Sequence, residues 1–320
     1  MKSRKSLTSK HTRIKVGITI GDPAGIGPIA TMKALKQLNG LADFTVIGDS
    51  SVLSNIRYCH LLDLGKIKGK KIRCGRATGE GGLASLAYLN KAIDLLKDKK
   101  IDCLVTCPVS KEAINKAGFK FYGHTEYLAE RFNVKHYAMI LLNDYLKFGL
   151  VTRHLPLKDV SSRLTGDNLS RTILLTYEAL RKLFFIKTPR LAVCAINPHA
   201  SDNGVIGSEE NMLIKPLINK LKTKIATLEG PLPAEIAIVR AFRGQYHCLI
   251  AMYHDQALIP LKLTERFGGV NLTVGLPFIR TSPLHGTAFD IANNPSRVDP
   301  TSLIEAIETA VECTSNLKKA

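Results

Sequence analysis

Three histidines stand in short polar segments that each follow an apolar, β-branched run: His154 in TRHLP, His199 in NPHA and His254 in YHDQ. The loops at the carboxyl ends of parallel strands converge in one crevice of an open α/β sheet, so these imidazoles could meet. Converging neutral imidazoles suit a divalent metal ion, and a carboxylate normally completes the site. Asp255 could orient the ring of His254. The alternative is that each histidine is a hydrogen-bonded loop residue.

A second polar group near the C-terminus is cationic. It contains Lys262, then Asn271 after a pair of glycines, and Arg280 at the end of an apolar run. A guanidinium can clamp a carboxylate or phosphate through two hydrogen bonds, and an ammonium adds a point charge. Together they favour an acidic substrate. The alternative is an ordinary ion pair for Arg280 and a solvated surface charge for Lys262.

A glycine-rich turn, residues 21–28, lies between a predicted strand and a predicted helix. Gly25, Gly27 and Ala30 match a dinucleotide-binding fingerprint, and Asp49 stands at a suitable distance downstream to bind a ribose. Alone the match is weak, because a plain strand-to-helix turn has the same composition.

Short β-branched runs alternate with amphipathic segments, which predicts βαβ units and a mostly parallel sheet. The predicted strands are Lys15–Ile20, Asp43–Ile47, Cys103–Thr106, Tyr137–Leu142, Gly149–Val151, Arg190–Ala195 and Cys248–Met252. The clearest predicted helices are Gly82–Leu96, Thr125–Phe132, Thr165–Leu183 and Ser302–Leu317, and another begins near Ile29. Ser302 and Glu305 have the spacing of a capping box. No repeat or linker divides the chain, so two lobes would share a continuous or interleaved sheet.

Composition excludes several classes of protein. With 320 residues, 45% of them hydrophobic, the chain can form two globular domains or one two-lobed domain. The net charge is +18, but the basic residues are dispersed and aromatic residues make up 6%, which disfavours nucleic-acid binding. The apolar runs are too short to span a membrane, and the N-terminus lacks a secretory apolar region, so we expect a cytoplasmic protein. Seven scattered cysteines without a CxxC pair predict reduced thiols.

Several motifs occur together in an order that resembles the 4-hydroxythreonine-4-phosphate dehydrogenase family, the NAD-dependent enzymes of pyridoxal phosphate biosynthesis. In chain order they are GDPAGIGP from Gly21, TCPVSKEAI from Thr106, GHTE from Gly123, HLPLKDV from His154, NPH from Asn197, GPLPAE from Gly230, AMYHDQ from Ala251 and GVNLTVGLPFIRTS from Gly269. The resemblance covers nearly the whole chain. In addition, residues 285–292 look like the nucleotide-binding loop of isocitrate and isopropylmalate dehydrogenases.

The resemblance implies a two-lobed α/β/α fold of the isocitrate and isopropylmalate dehydrogenase type, with the active site in the cleft between the lobes. We expect residues 1–135 and 268–320 to form the lobe on the nucleotide side, and residues 136–267 to form the metal and dimer lobe. Residues 1–13 are predicted to be a disordered tail. A homodimer whose metal sites are completed across the interface is also implied. The fingerprint at Gly25 would then be a decoy.

Roles for individual residues follow from the same resemblance. The implied metal ligands are His154, His199 and His254, with Glu235 as a possible addition. The implied substrate-binding residues are His124, Thr125, Lys262, Asn271 and Arg280. The residues implied to bind the nicotinamide cofactor are His285, Gly286, Thr287 and Asp290. For removal of the alcohol proton the candidates are Lys111, Asp255 and a metal-bound water.

The implied reaction is the oxidation of 4-phosphooxy-L-threonine at C3 by NAD or NADP, with decarboxylation to 3-amino-2-oxopropyl phosphate. It would need one divalent ion per site, zinc, magnesium, manganese or cobalt. The chain departs from the family at Glu235, where the family usually has aspartate, and at Ile29, where it usually has an acidic residue. These departures leave open a related substrate, 4-phospho-threonate or 4-phospho-erythronate. A metal-dependent hydrolase or lyase is a further alternative.

Overall fold

One sheet runs through the whole protein. The computed structural model describes residues 13–69, 72–265 and 268–320, and its strands form a single 11-stranded sheet in the order β3-β2-β1-β4-β11-β10-β5-β6-β9-β7-β8. The strands are β1 (Lys15–Thr19), β2 (Asp43–Gly48), β3 (His60–Asp63), β4 (Cys103–Thr106), β5 (Ala138–Leu142), β6 (Lys147–Leu150), β7 (Leu191–Cys194), β8 (Leu228–Leu232), β9 (Cys248–Ala251), β10 (Val270–Val274) and β11 (Ile279–Pro283). The continuous sheet agrees with the expectation from the undivided sequence.

Two parallel blocks meet at an antiparallel centre. Strands β3, β2, β1, β4 and β11 are parallel neighbours, and so are β6, β9, β7 and β8. Between the blocks, β10 pairs antiparallel with both β11 and β5, and β5 pairs antiparallel with β6. The predicted lobe boundary near residues 136 and 268 falls at this centre, and the division into lobes stays a prediction.

Helices cover both faces of the sheet. They are α1 (Gly27–Gln37), α2 (Gly79–Lys97), α3 (Lys111–Lys116), α4 (His124–Arg131), α5 (Val160–Arg163), α6 (Gly166–Leu183), α7 (Lys215–Leu221), α8 (Ala234–Phe242), α9 (His254–Thr264) and α10 (Thr301–Leu317). Successive residues of β7 and β9 point to opposite faces and enter two different clusters. Helices α6 and α7 pack in one cluster, and α8 and α9 pack in the other. The predicted α/β/α architecture is therefore confirmed.

The helix ends show one correct prediction and one error. Pro28 lies in the first turn of α1, where its missing amide hydrogen leaves no partner unsatisfied. The predicted capping box of α10 is wrong: the helix begins after Pro300, and no side chain caps it. Both Ser302 and Glu305 instead bond to the chain segments that lead into β10 and away from β11.

Two further expectations concern the cysteines and the chain's hydropathy. All seven cysteines are free thiols, and five of them are buried. Within the described ranges, every helix is too short or too polar to cross a bilayer.

The predicted disordered tail lies outside the described residues except for Arg13, whose guanidinium is 3.9 Å from the carboxylate of Asp43.

Candidate active site

The antiparallel centre of the sheet supplies the floor of a pocket. Asn271 of β10 is registered between Leu141 of β5 and Ser282 of β11, and Thr273 is registered between Met139 and Arg280. Because alternate residues of a strand share a face, these six side chains lie on one side of the sheet. Four of these side chains line a cavity of about 260 Å³, together with His124 and His154. The four are Met139, Asn271, Arg280 and Ser282.

Arg280 is a buried cation that forms no ion pair with a carboxylate of the described residues. Its side chain donates from Nη2 to Thr106 Oγ1 at 2.6 Å and from Nη1 to Thr273 Oγ1 at 3.2 Å, and Nε has no partner within the described structure. Burial lowers its pKa to about 10, against a smaller opposing effect of Glu126. Glu126 itself pairs with Arg153 at 3.3 Å. A buried, unpaired charge is unfavourable, so this guanidinium is suited to an anionic ligand.

His124 and Thr125 begin α4 beside this guanidinium. Thr125 Oγ1 lies 3.2 Å from Thr273 Oγ1, which ties the helix to the floor. The ring of His124 packs edge-on against Phe121, and its buried Nε2 has no partner in the described structure. Burial, and then the charges of Arg280 and Lys111, hold the pKa of His124 well below its usual range. A neutral imidazole with a free nitrogen therefore faces the same space as Arg280.

Lys111 is the first residue of α3, a helix whose Ser110 side chain accepts a hydrogen bond from Ala113 N at 3.1 Å. It lines the cavity that contains Arg280 and also a neighbouring groove beside Arg153. Its positive charge contributes to the lowered pKa values of both His124 and His154, after the larger effect of burial. Lys111 thus lies at the cavity that contains Arg280 and close to both His124 and His154.

Two of the three predicted metal ligands are neighbours. Their strands, β6 and β9, are adjacent and parallel, and the ring centroids of His154 and His254 lie 5.7 Å apart. Both rings line a second cavity of about 340 Å³, which shares Met139, Asn271 and His285 with the first. His254 Nδ1 lies 3.3 Å from the exposed Asp255 carboxylate, the orienting contact that the sequence predicts. The two imidazoles present nitrogen ligands that suit a divalent ion.

His199 does not join this pair. It is exposed and lies in a left-handed turn in which all five residues from His199 to Asn203 have positive φ. Among the described residues, no group of three or more histidine, cysteine, aspartate or glutamate side chains could hold a metal ion. Glu235, in the first turn of α8, belongs to no such group either. One chain therefore supplies two of the implied ligands at the pocket and presents the third elsewhere on its surface.

The turn that carries His199 is braced by Glu210, which sequence reasoning missed. Its fully buried carboxylate accepts hydrogen bonds from Ile196 N at 2.9 Å, from Asn197 N at 2.8 Å and from Asn197 Nδ2 at 2.9 Å. Glu210 therefore fixes the segment that leads into the left-handed turn, a backbone conformation that is strained for residues other than glycine.

The residues predicted to bind the nucleotide are split. His285 and Gly286 line both cavities, and the buried Nε2 of His285 has no partner in the described structure. Gly286 has open space where a side chain would stand, so a ligand can approach its backbone. The carbonyl of Thr287 instead accepts a hydrogen bond from Ile26 N at 3.0 Å, against the glycine-rich turn. Asp290 is exposed.

The dinucleotide fingerprint is a decoy, as expected from the resemblance. The amides of Ala24 and Gly25 are bonded to Asp22, and the amide of Ile26 is bonded to Thr287, so they do not point towards a pyrophosphate. Asp49 is buried and accepts a hydrogen bond from the Tyr88 hydroxyl, so it does not hold a ribose.

Lys262 lines neither cavity, although its charge adds to the effect of burial in lowering the pKa of His285, which lines both. Its ammonium donates to the carbonyl of Gly268 at 3.1 Å, and burial lowers its pKa against the opposing charges of Glu305 and Glu265. The sequence left two interpretations of Lys262, a substrate-binding cation and a solvated surface charge. Neither describes this arrangement fully, because the side chain is half-buried and hydrogen-bonded within its own chain.

Two threonines on the floor were also missed. Thr106 and Thr273 hold the guanidinium of Arg280, yet a threonine in a β-branched run reads as an ordinary strand residue. The available signal was the alternation of Asn271 and Thr273 with apolar residues, which places both on one face of a strand.

Comparison with known proteins places these observations in a family. The model of the family described as "Pyridoxal phosphate biosynthetic protein PdxA" matches residues 19–310. The chain belongs to this family. A 4-hydroxythreonine-4-phosphate dehydrogenase from Desulforapulum autotrophicum is 38% identical, over 92% of this chain and 94% of that protein. A D-threonate 4-phosphate dehydrogenase from Salmonella typhimurium is 36% identical, over 87% of this chain and 92% of that protein.

Solved structures agree with this assignment. A 4-hydroxythreonine-4-phosphate dehydrogenase from Klebsiella pneumoniae superposes with a TM-score of 0.84 at 31% identity, covering 96% of this chain and 99% of that one. Isocitrate dehydrogenase from Methylococcus capsulatus superposes with a TM-score of 0.53 at 12% identity, covering 95% and 87%. The second likeness shows the fold alone and confirms the predicted fold class. Family membership confirms that the protein is a dehydrogenase of the PdxA type.

Proposed function

We propose that this protein oxidises 4-phosphooxy-L-threonine at C3 with NAD or NADP, and that the product loses carbon dioxide to give 3-amino-2-oxopropyl phosphate. The observation that carries the proposal is the buried guanidinium of Arg280, which pairs with no carboxylate in the part of the chain that the structure describes and lies beside a neutral His124. The names of the relatives support the substrate class, a phosphorylated hydroxy acid.

The chain's own residues supply the seat for the substrate. Arg280 would bind one anionic end of the substrate, and the hydrogen bonds that it donates to Thr106 and Thr273 fix the guanidinium plane. His124 Nε2 and Asn271 Oδ1 are buried without partners in the described structure, and they would take up polar groups of the substrate. The main catalytic contribution of these residues would be to hold the substrate alcohol close to the hydride acceptor.

Lys111 is the base that the geometry supports. It lines the anion-binding cavity, whereas Asp255 is exposed and lines neither of the two cavities. We therefore assign removal of the alcohol proton to Lys111 and orientation of the His254 ring to Asp255.

His154 and His254 would hold a divalent cation at the rim of the pocket. When bound, such a cation supplies Lewis-acid chemistry towards the secondary alcohol and stabilises the negative charge left by decarboxylation. The segment that contains His285, Gly286, Thr287 and Asp290 would hold the nicotinamide cofactor, which would supply the hydride acceptor.

We further propose a homodimer in which the partner provides His199. Helices α8 and α9, which pack on the same face of the sheet, expose an apolar patch: Ile236, Val239, Phe242, Ile259 and Leu263. Exposed apolar patches of this kind mark association surfaces, and α9 begins at the rim with His254. A second copy seated there could bring its exposed His199 to the pair of rings. The seven free thiols support a reducing, cytoplasmic location.

The test is a panel of phosphorylated four-carbon acids. 4-Phosphooxy-L-threonine, D-threonate 4-phosphate and D-erythronate 4-phosphate are each assayed for reduction of NAD and NADP, with and without chelator. We expect the first to have the highest kcat/KM and chelator to abolish turnover. The Salmonella relative makes D-threonate 4-phosphate the second candidate. Metal-dependent turnover without nicotinamide reduction would instead indicate a hydrolase or lyase.

A further inference from the structure

The first turn of α10 is bonded to two strand ends beside the pocket. The last registered pair of β10 and β11 is Val270 with Pro283, and proline has no amide hydrogen to continue the ladder. At the next step, Leu284 N donates to Ser302 Oγ at 2.8 Å, and Ser302 Oγ donates to Gly269 O at 2.6 Å. A serine hydroxyl therefore stands where a direct strand-to-strand hydrogen bond could form, and it spaces the two chain segments apart.

The peptide units around Gly269 are held by other side chains as well. Gly269 N donates to Glu305 Oε2 at 2.5 Å, and Gly268 O accepts from Lys262 at 3.1 Å. Gly269 has a φ of 105°, and a side chain there would lie 2.9 Å from the side chain of Leu284. This segment therefore takes its conformation from the three side chains that bond to it.

Two pocket residues lie next to these anchored positions. Asn271 follows Gly269 by two residues and His285 follows Leu284 directly, and both line the two cavities. Asn271 Oδ1 and His285 Nε2 are buried without hydrogen-bond partners in the described structure. The ring of His285 hydrogen-bonds only with the adjacent backbone, with Nδ1 2.9 Å from Gly286 O, and Asn271 is held through the strand pairing of β10, so among the described residues the placement of both depends on the backbone that carries them.

We propose that Ser302 and Glu305 are positioning residues that hold the segments of Asn271 and His285 at the spacing the substrate requires. This proposal rests on the proposed function, since it names the phosphorylated hydroxy acid as the ligand that needs that spacing. It also gives a role to the two residues of the predicted capping box, which do not cap their helix.

Ser302→Ala removes only the relaying hydroxyl group. Hydrogen exchange of residues 269–271 and 284–286, read by mass spectrometry, should become ~10-fold faster because two backbone groups lose their partner. KM for the phosphorylated acid should rise ~5-fold with kcat changed less, because misplaced binding groups weaken substrate binding. Glu305→Ala should act similarly, and Glu305→Gln should restore KM, since its amide oxygen can still accept from Gly269 N.

Thr314→Val is the matched control. Thr314 is a buried hydroxyl on the same helix that donates to Ala310 O at 2.6 Å, away from the pocket. This variant should lower the melting temperature while leaving KM and the exchange of both segments unchanged.

The outcomes separate the two proposals. Unchanged exchange in Ser302→Ala and Glu305→Ala would overturn the positioning role. Faster exchange with unchanged KM would show a purely structural role and overturn it too. If the wild-type protein reduces no nicotinamide with any acid of the panel, the proposed function fails. The positioning role of Ser302 is then still decided by the hydrogen-exchange rates and by the rate at which diethylpyrocarbonate modifies His285. That modification rate should rise in Ser302→Ala and not in Thr314→Val.

Discussion

The floor and the rim of the pocket are built in different ways. The floor consists of buried side chains fixed by hydrogen bonds inside one chain, with Arg280 held by Thr106 and Thr273. The rim consists of the partly accessible rings of His154 and His254, 5.7 Å apart, and the implied third ligand, His199, is exposed elsewhere. The contrast teaches that one chain by itself forms the proposed anion site, whereas the proposed metal site needs a ligand from a second copy.

The largest expected effect is at the rim. His199→Ala should lower kcat/KM by ~1000-fold or more and abolish retention of the divalent ion, because two imidazoles alone bind such an ion weakly. Metal content after gel filtration and circular dichroism measure the loss and the intact fold. His60→Ala, an exposed histidine on the edge strand β3, is the control and should retain metal. Normal metal content in His199→Ala would remove His199 from the site.

The floor should respond in substrate binding. Arg280→Ala should lower kcat/KM by ~100-fold, mainly through KM, because loss of a buried charged hydrogen-bonding group costs about 2 to 5 kcal/mol. Arg190→Ala, an exposed arginine that bonds Gln245 O, is the control. Steady-state kinetics with the phosphorylated acid measure this change. An unaltered KM would show that Arg280 does not bind the substrate.

The floor should also show a conflict between stability and function. Arg280→Met replaces an unpaired buried charge by an apolar side chain of similar length, so the free energy of unfolding should rise by ~1 kcal/mol, roughly 2 °C in Tm. Inorganic phosphate should raise the Tm of the wild type and not that of the variant. A variant less stable than the wild type would indicate that the guanidinium is already satisfied within the chain.

The last expected effect is a pH dependence of stability at Glu305, which bonds to the segment that leads into β10. Burial raises the pKa of Glu305 to about 7, and the neighbouring carboxylates Glu265 and Asp144 act in the same direction, against the facing charge of Lys262. Between its ordinary pKa and about 7 the folded protein holds a proton that the unfolded chain releases, so stability should fall as pH rises through this range. Unfolding in urea from pH 5 to 8 measures the slope. Glu305→Gln should flatten it, and an equal slope would contradict the assignment.

The sequence singled out residues of both the floor and the rim, but it did not predict the two strands that carry the floor. His154 and His254 stand directly after β-branched runs, so their convergence follows from strand order. Strands β10 and β11 were missed although Asn271 and Thr273 alternate with apolar residues in β10, which is the pattern of a half-buried strand. The glycines on either side of β10 and the proline that ends β11 are typical of a loop instead. Local composition cannot show that Asn271 and Arg280 face a pocket.

The position of His199 and the error at α10 have a similar cause. The segment that leads into the left-handed turn at His199 is bonded to Glu210, more than ten residues away in the chain, and a tertiary contact of this kind leaves no local signal. Ser302 and Glu305 have the spacing of a capping box, yet their side chains accept hydrogen bonds from Leu284 N and Gly269 N instead of from the amides of their own helix. The choice between these partners is made by packing.

Mixing two inactive variants tests most directly whether the metal site is shared between chains. His199→Ala and His254→Ala chains, each inactive alone, are unfolded together and refolded at equal concentration. Random pairing makes half of the dimers mixed, and each mixed dimer carries one intact site, so about a quarter of the wild-type activity should return. No recovered activity, with mixed dimers present by native mass spectrometry, would contradict a rim completed by the partner.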